Sequence, residues 1–542
     1  MKILLVEPNY KNKYPPIGLM KISTYHKNKG DRVRFVKGLE PCIQVYDKVY
    51  ITTLFTFHYK IVLKTIEHYK QFVRSEDDII IGGVMASLMK VQLKEDSQLN
   101  MIIQGPVIDS SIMGYEDHVN VDIMPLDYDL LLQTDYQYPA GDNFFGYTTR
   151  GCVNRCKFCA VPILEPEFNM TNNIKKQVNN IRSNYGDKRN LLLMDNNFLG
   201  LSNEQIANIV DDLVDLGFTH EPSFIKPSRF KILYDTVIRL EKIDSPSIRA
   251  ISELRNYMLE VQGKRMRKAY VTRYAEILDY LFNEADDFFD GVTEYYKELL
   301  TIITSVEFKR KLKRYVDFNQ GIDARLLSEE KMKLIKPLPI RPFRLAFDDW
   351  KFKDIYDKAI HLAYKHGVKE FSNYLLYNYE DTPEELWMRL DMNISLATEF
   401  DTHIFSFPMK FAPINETDRT FIGKHWNKHY LSNIHAILNV TKGIVARNRG
   451  FFDEAFGKNL NEYFEILSMP RDFVTYRNYF KKIKLTQQWK KEFDELSEIE
   501  KRELLKTISL HEKTHDNKRI NSILRFYSIK YDNLKKNEKP LI

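Results

Sequence analysis

Three of the chain's four cysteines, Cys152, Cys156 and Cys159, lie in the segment YTTRGCVNRCKFCAVP that runs from Tyr147 to Pro162. A C-x3-C-x2-C loop can wrap three thiolates around one side of an iron–sulfur cubane. Protein-held clusters normally take four cysteines, so three leave one iron without a protein ligand and open to another molecule. Structural zinc competes for such residues, but it usually takes four ligands, commonly from paired C-x2-4-C elements. No second pair occurs. A disulfide staple is disfavoured in so long a chain with so few cysteines and no signal peptide. The solitary Cys42 reads as a small buried hydrophobe with no assigned role.

With the aromatic Phe158 just before the third cysteine, the loop resembles the cluster loop of radical S-adenosylmethionine (SAM) enzymes. The resemblance implies a [4Fe-4S] cluster on Cys152, Cys156 and Cys159, with the open iron chelating the amino and carboxylate groups of SAM. An electron from the cluster then cleaves a carbon–sulfur bond, and the 5′-deoxyadenosyl radical abstracts hydrogen from substrate. An electron donor such as flavodoxin or ferredoxin is implied as a partner. Arg155 and Lys157 flank the cysteines. They would favour a reduced cluster and attract an acidic donor, or are solvated surface charges.

The elements around the loop fit a partial (β/α)6 barrel, as the resemblance implies. Strands are expected at 144–149, 191–197, 315–319, 343–347, 370–376 and 403–407, separated by helices near 172–185, after Ser202, and at 328–335, 353–366 and 383–397. Sites in parallel barrels sit at the carboxyl ends of the strands. At the second such end, Asp195 and Asn196 stand where these enzymes hold the SAM amino group, although the usual glycines are missing and a surface Asx turn is the alternative. Gln320 and Arg325 follow the third strand and would orient ribose or carboxylate; Asp323 can equally pair with Arg325. Asp348, beside Asp349, suits two ribose hydroxyls or a helix cap. The stretch from Tyr377 to Thr382 would line adenine or substrate, or simply start a helix.

Residues 1 to about 115 alternate strand and helix signals, as an open α/β sheet does. Strands are expected at 3–6, 33–36, 49–52, 79–81 and 101–103, with helices at 16–29 and 58–73. Gly82 and Gly83 would let a ligand approach the backbone or make an ordinary tight turn. Ahead of a radical SAM core, this region resembles a cobalamin-binding-type domain. The Asp-x-His-x-x-Gly signature that supplies a histidine to cobalt is absent: His26 lacks the aspartate, and Asp401 with His403 fits half the pattern far away. Cobalamin therefore has no residue-level support.

The expected architecture is a Rossmann-like open sheet at 1–135, a radical SAM barrel at 140–415 with a helical insertion at 219–312, and a helical region at 416–542. The 542 residues carry 44% hydrophobic and 13% aromatic residues, enough for packed cores. No apolar run approaches the ~18 residues of a membrane span, and the first residues read as a strand rather than a signal sequence. A cytoplasmic enzyme without a membrane partner is expected. A net charge of +6 among 154 charged residues does not establish nucleic-acid binding. No cysteine follows Cys159, which removes auxiliary clusters, and only Cys42 precedes the loop, which removes the methylthiotransferase branch. Mixed-charge insertion segments such as 264–268 and 284–287 read as solvated helix faces, with a lid or docking unit as the alternative. Basic and aromatic residues interleave after 415, as they would for single-stranded nucleic acid, although acidic runs dilute that pattern. The functional expectation is SAM-dependent radical chemistry, methylation or rearrangement, on a small molecule, peptide or RNA. The rival is an iron–sulfur redox or binding protein that does not cleave SAM.

Overall fold

The computed structural model describes residues 1–41, 44–242, 247–307 and 309–538; Cys42 lies outside them. The protein is a mixed α/β chain that divides into two compact units. The first comprises 1–320, 330–341 and 414–418; the second comprises 321–329, 342–413 and 419–542. The division falls within the stretch expected to form one barrel.

In the first unit, β1 (Lys2–Glu7), β2 (Arg32–Lys37), β3 (Lys48–Thr53) and β4 (Ile79–Gly83) form a parallel sheet in the order β2-β1-β3-β4. Ile3, Leu4, Leu5 and Val6 are all fully buried, as expected of a parallel strand covered on both faces. The strand expected at 101–103 contracts to one bridge between Ile81 and Ile102. Gly105 and Pro106 follow at once, and proline has no amide hydrogen to extend a ladder.

Gly83 is set by its neighbours. Its φ is +100°, and a Cβ there would stand 2.2 Å from the Thr53 carbonyl oxygen. The Thr53 hydroxyl donates to the Gly82 carbonyl at 2.9 Å and accepts from the Ala86 amide at 2.9 Å. The Gly82-Gly83 turn is therefore closed by Thr53.

Farther along, β5 (Phe144–Gly146), β6 (Asn190–Leu193) and β7 (Tyr315–Phe318) make a second parallel sheet. Asn173 caps the helix Ile174–Tyr185, and Ser202 with Gln205 makes a capping box on Asn203–Asp215, satisfying amides that a helix start leaves unpaired. Beyond β7, Val316 makes a single bridge to Ile340. Pro337, Pro339 and Pro342 surround that residue, so the ladder cannot lengthen there. The insertion helices, from Arg229–Lys242 to Tyr296–Val306, enclose a core that includes Phe230, Leu254, Tyr274 and Ile303. Arg239 makes a bidentate ion pair with Asp129, at 2.8 and 2.9 Å, bracing the segment that leads into β5.

In the second unit, β8 (Phe343–Ala346), β9 (Glu370–Tyr377) and β10 (His403–Lys410) form a parallel sheet in that order. The six strands expected in one barrel thus form two three-stranded sheets, one in each unit. Fully buried Arg389, on helix Pro383–Glu399, donates to the Phe347 and Leu376 carbonyls and to Asp381 at 2.7 Å. Helices after 460 pack around Phe480, Trp489, Leu504 and Ile520. No helix among the described residues is long and apolar enough to cross a membrane.

Replacing Gly83 by Ala should cost about 2 kcal/mol or more, from the unfavourable φ alone and the clash with Thr53. Thermal unfolding followed by circular dichroism should show a lowered first transition.

Candidate metal centre

The cysteine loop leaves the carboxyl end of β5. There the neighbouring strand ends are held level: the Met194 amide donates to the Gly146 carbonyl at 2.9 Å, and the Asn319 amide to the Leu193 carbonyl at 3.0 Å. The strand expected to run to Thr149 stops at Gly146 because the chain turns onto Asp195. Thr149 and Arg150 then pair antiparallel with Met170 and Asn169. Gly151 takes φ +73°, and a Cβ would stand 2.1 Å from the Glu167 carbonyl oxygen. The residue before Cys152 must therefore be glycine.

Cys152, Cys156 and Cys159 are half-buried, and none of them is in a disulfide. The Asn154 amide points at Cys152 Sγ at 3.4 Å, Asn197 Nδ2 at the same sulfur at 3.5 Å, and the Val161 amide at Cys159 Sγ at 3.5 Å. Donors of this kind stabilise thiolate charge and tune the potential of a cluster held there. Among the described residues no group of three His, Cys, Asp or Glu side chains is gathered as ligands of one metal ion. A cubane binds three thiolates through three different irons, so its cysteines do not converge on a point. Three cysteines outside any disulfide, with amide donors on two of their sulfurs, fit an iron–sulfur cluster. Phe158 is half-buried inside the loop, while Arg155 and Lys157 are exposed, as solvated surface charges are.

A charged network pins this loop. Arg150 donates to Asp122 Oδ2 at 2.9 Å and Oδ1 at 2.5 Å, and to Glu165 Oε1 at 2.8 Å. Lys21 reaches Asp122 Oδ1 at 2.7 Å. Burial pulls the Lys21 ammonium down to about 8, against the attraction of Asp122. Tyr147 lies 3.7 Å beneath the Arg150 guanidinium, a cation–π contact. Glu165 Oε2 accepts from the Gly151 amide and from Asn196 Nδ2, both at 2.7 Å. One carboxylate thus ties the start of the cysteine loop to the turn after β6.

Asp195 is buried and turned toward the chain itself. It accepts from the Thr148 amide at 3.0 Å, from the Thr148 and Thr149 hydroxyls at 2.7 and 2.6 Å, and from the Thr149 amide. Burial raises its carboxyl above the ordinary range, while the threonine donors oppose that rise. The side chain expected to receive the SAM amino group is engaged in holding the backbone three and four residues before Cys152. Asn196, expected beside it, is engaged by Glu165. Gln320 is exposed past the end of β7. Its neighbour Asn319 accepts from the Tyr14 hydroxyl at 2.8 Å.

Cys152, Cys156, Cys159, Phe158, Asp195, Asn196 and Gln320 belong to the first unit, and Arg325 and Asp348 to the second. Arg325 pairs with Asp323 through two bonds of 2.8 Å, the structural pairing that its spacing allowed. Asp348 accepts from the Leu376 amide at 3.2 Å, and burial raises its carboxyl to about 6. Asp349 caps the turn at Trp350–Phe352. In the stretch 377–382, Asn378 and Asp381 are buried and tied to Gly423 and Arg389, and Thr382 makes a capping box with Glu385.

Sequence reading missed Lys21, Asp122, Arg150 and Glu165. Arg150 sits two residues before the first cysteine, but nothing local names its distant partners.

His26 is not placed to ligate a corrinoid cobalt. Both ring nitrogens of buried His26 are taken, Nδ1 by Asp31 at 2.7 Å and Nε2 by the Tyr50 hydroxyl at 3.0 Å. Thr53 closes the glycine turn, and a Cβ on Gly105 would stand 2.8 Å from the Leu164 carbonyl oxygen.

No protein-family model matches the chain, and no curated protein does. Among solved structures it is similar to the apo form of OxsB, a cobalamin-dependent S-adenosylmethionine radical enzyme, at 12% identity and a TM-score of 0.37. The match covers 72% of this chain and 51% of that one, so the chain spans about half that enzyme's length. A likeness this faint assigns no chemistry; that must come from the loop.

Two outcomes are expected. Glu165→Ala leaves Arg150 short of a buried partner, a loss of about 3–5 kcal/mol, and iron retained after anaerobic reconstitution should fall; Glu165→Gln should lose less. The Asp348 carboxyl titrates at its ordinary 3.8 when unfolded, and burial raises it to about 6 in the fold. Folding thus takes up a proton between those values. Wild-type stability measured against Asp348→Asn should fall as pH rises from about 4 to 6 and stay level above about 7.

Proposed function

We propose that this protein is a radical SAM enzyme in which Cys152, Cys156 and Cys159 hold one [4Fe-4S] cluster. The observation that carries the reading is the three-cysteine loop, outside any disulfide, at the carboxyl end of a parallel strand, with amide donors on two of its sulfurs. When bound, the cluster would supply the electron that cleaves SAM at its open iron. The chain's own residues hold and insulate it. Gly151 admits the sharp turn, Glu165 and Asp195 fix the backbone on the approach to the cysteines, and Asn197 donates to Cys152.

Phe158 and Gln320, in the unit that carries the loop, remain the residues proposed to contact SAM, whereas Asp195 and Asn196 act through the loop. The substrate is a small molecule, peptide or RNA, and the reaction a methylation or rearrangement. The cofactors are the cluster and SAM; no step is assigned to cobalamin. The engagement of Asp195 favours a second reading, an iron–sulfur redox or binding protein without SAM cleavage.

Anaerobically reconstituted protein is expected to hold about four irons per chain and, with SAM and a strong reductant, to release 5′-deoxyadenosine slowly without substrate. Alanine at Cys152, Cys156 or Cys159 should abolish both, and Cys42→Ala neither. A zinc-loaded, colourless protein would refute the cluster. A loaded cluster that yields no 5′-deoxyadenosine would select the second reading. Asp195→Ala should lower iron content, since its carboxylate supports the loop; retained iron with weakened SAM binding would instead restore it as a SAM ligand.

A further inference from the structure

The C-terminal part of the second unit contains a cleft of about 670 Å³ between the helices Lys428–Val440, Arg471–Thr475 and Tyr531–Glu538. Its volume lies in the range of ligand sites, and its lining combines two cations, two carboxylates (Asp472 and Asp532), amides and an aromatic ring. Arg471 makes one hydrogen bond, from Nη1 to Ser432 Oγ at 2.8 Å, and no ion pair with a carboxylate among the described residues. On the other wall, Lys530 stands 3.5 Å from Asp472. That carboxylate already accepts the Tyr531 amide at 2.9 Å, so it serves as the cap of the last helix.

Between these cations, the Tyr476 ring lies stacked on Tyr531, with centroids 4.0 Å apart and planes 12° from parallel. Tyr476 is 40% exposed, and its partner ring fixes it as a platform. Asn439 and Asn533 bring further donors and acceptors to the same lining. His435, one turn before Asn439 on the same helix, is depressed by burial and by nearby Arg471, Arg419 and Lys410. Lys410 is the last residue of β10, at the strand end where parallel folds carry their sites.

We propose that this cleft binds single-stranded nucleic acid, with a base stacked on Tyr476 and backbone phosphates held by Arg471 and Lys530. A guanidinium without a carboxylate partner suits phosphate, which it can grip with two parallel hydrogen bonds. An ordered aromatic face suits any base, because every base has a π-face. An acidic peptide would use the cations but not the tyrosine platform, and the balance of these groups therefore favours nucleic acid.

The test measures fluorescence anisotropy of the full chain with a labelled mixed-sequence oligoribonucleotide of about twelve nucleotides, within the usual site sizes. Labelled polyglutamate of equal charge and free inorganic phosphate as competitor form the comparison arms. The oligonucleotide should bind with a salt-dependent affinity and polyglutamate far more weakly. Arg471→Gln should weaken binding and lower the salt slope by about one, while Arg471→Lys keeps most of that slope. Tyr476→Leu should lose about tenfold, the cost of one stacked base, with the salt slope unchanged. Both positions are exposed, and unchanged melting curves would confirm folded variants. Equal binding of polyglutamate, competition by phosphate alone at comparable concentration, or variants that bind like wild type would overturn the proposal. Binding needs neither iron nor SAM, so its failure and the failure of the cluster reading are separate results.

Discussion

The first unit depends on neutralising charges that its own folding buries. Lys21 on the first helix, Asp122 in the segment before β5, Arg150 at the start of the cysteine loop and Glu165 beyond it form one chain of ion pairs. Removing any member leaves an opposite charge in a poorly solvated place, which is far costlier than losing a surface pair. This forces three distant stretches of sequence into one geometry. It also explains why Lys21 is drawn down toward neutrality while Arg150 stays charged: the lysine suffers most from burial, and the guanidinium has two carboxylates beside it.

The cysteine loop inherits its position from this network. Glu165 grips the Gly151 amide, and Asp195 grips Thr148 and Thr149. Polar groups that looked like ligand contacts at the strand ends thus act on the backbone. A three-thiolate site needs this, because a cluster with one open iron cannot rely on a fourth protein ligand to define the loop. The second unit shows the same economy. Asn378 and Asp381 lie in the stretch expected to line adenine or substrate, yet with Arg389 they satisfy carbonyls and amides that the sheet ends would otherwise bury unpaired, a requirement with its own large penalty.

Much of the secondary structure was legible in the sequence. The continuous apolar runs of β1 and β4 and the capping pairs Ser202 with Gln205 and Thr382 with Glu385 are local signals, and each produced its element. Strand ends were less legible. Strand β5 stops at Gly146 rather than Thr149 because Asp195, 47 and 46 residues away, captures Thr148 and Thr149. The strand at 101–103 shrank to a bridge where Gly105 and Pro106 cut it short. The barrel was expected from the alternation and the resemblance of the cysteine loop, but alternation does not say which strands share hydrogen bonds, and the prolines around Ile340 held the edge of β7 to a single bridge.

The sequence by itself determined the three cysteines, their spacing, and the strand that carries them, because thiol chemistry and local periodicity are properties of neighbouring residues. It also showed that no histidine signature for cobalt is present. Only the tertiary structure decided what the acidic residues do. A carboxylate's role depends on which donors come within about 3 Å of it, and for Asp195, Glu165 and Asp122 those donors come from segments that nothing nearby in the chain identifies.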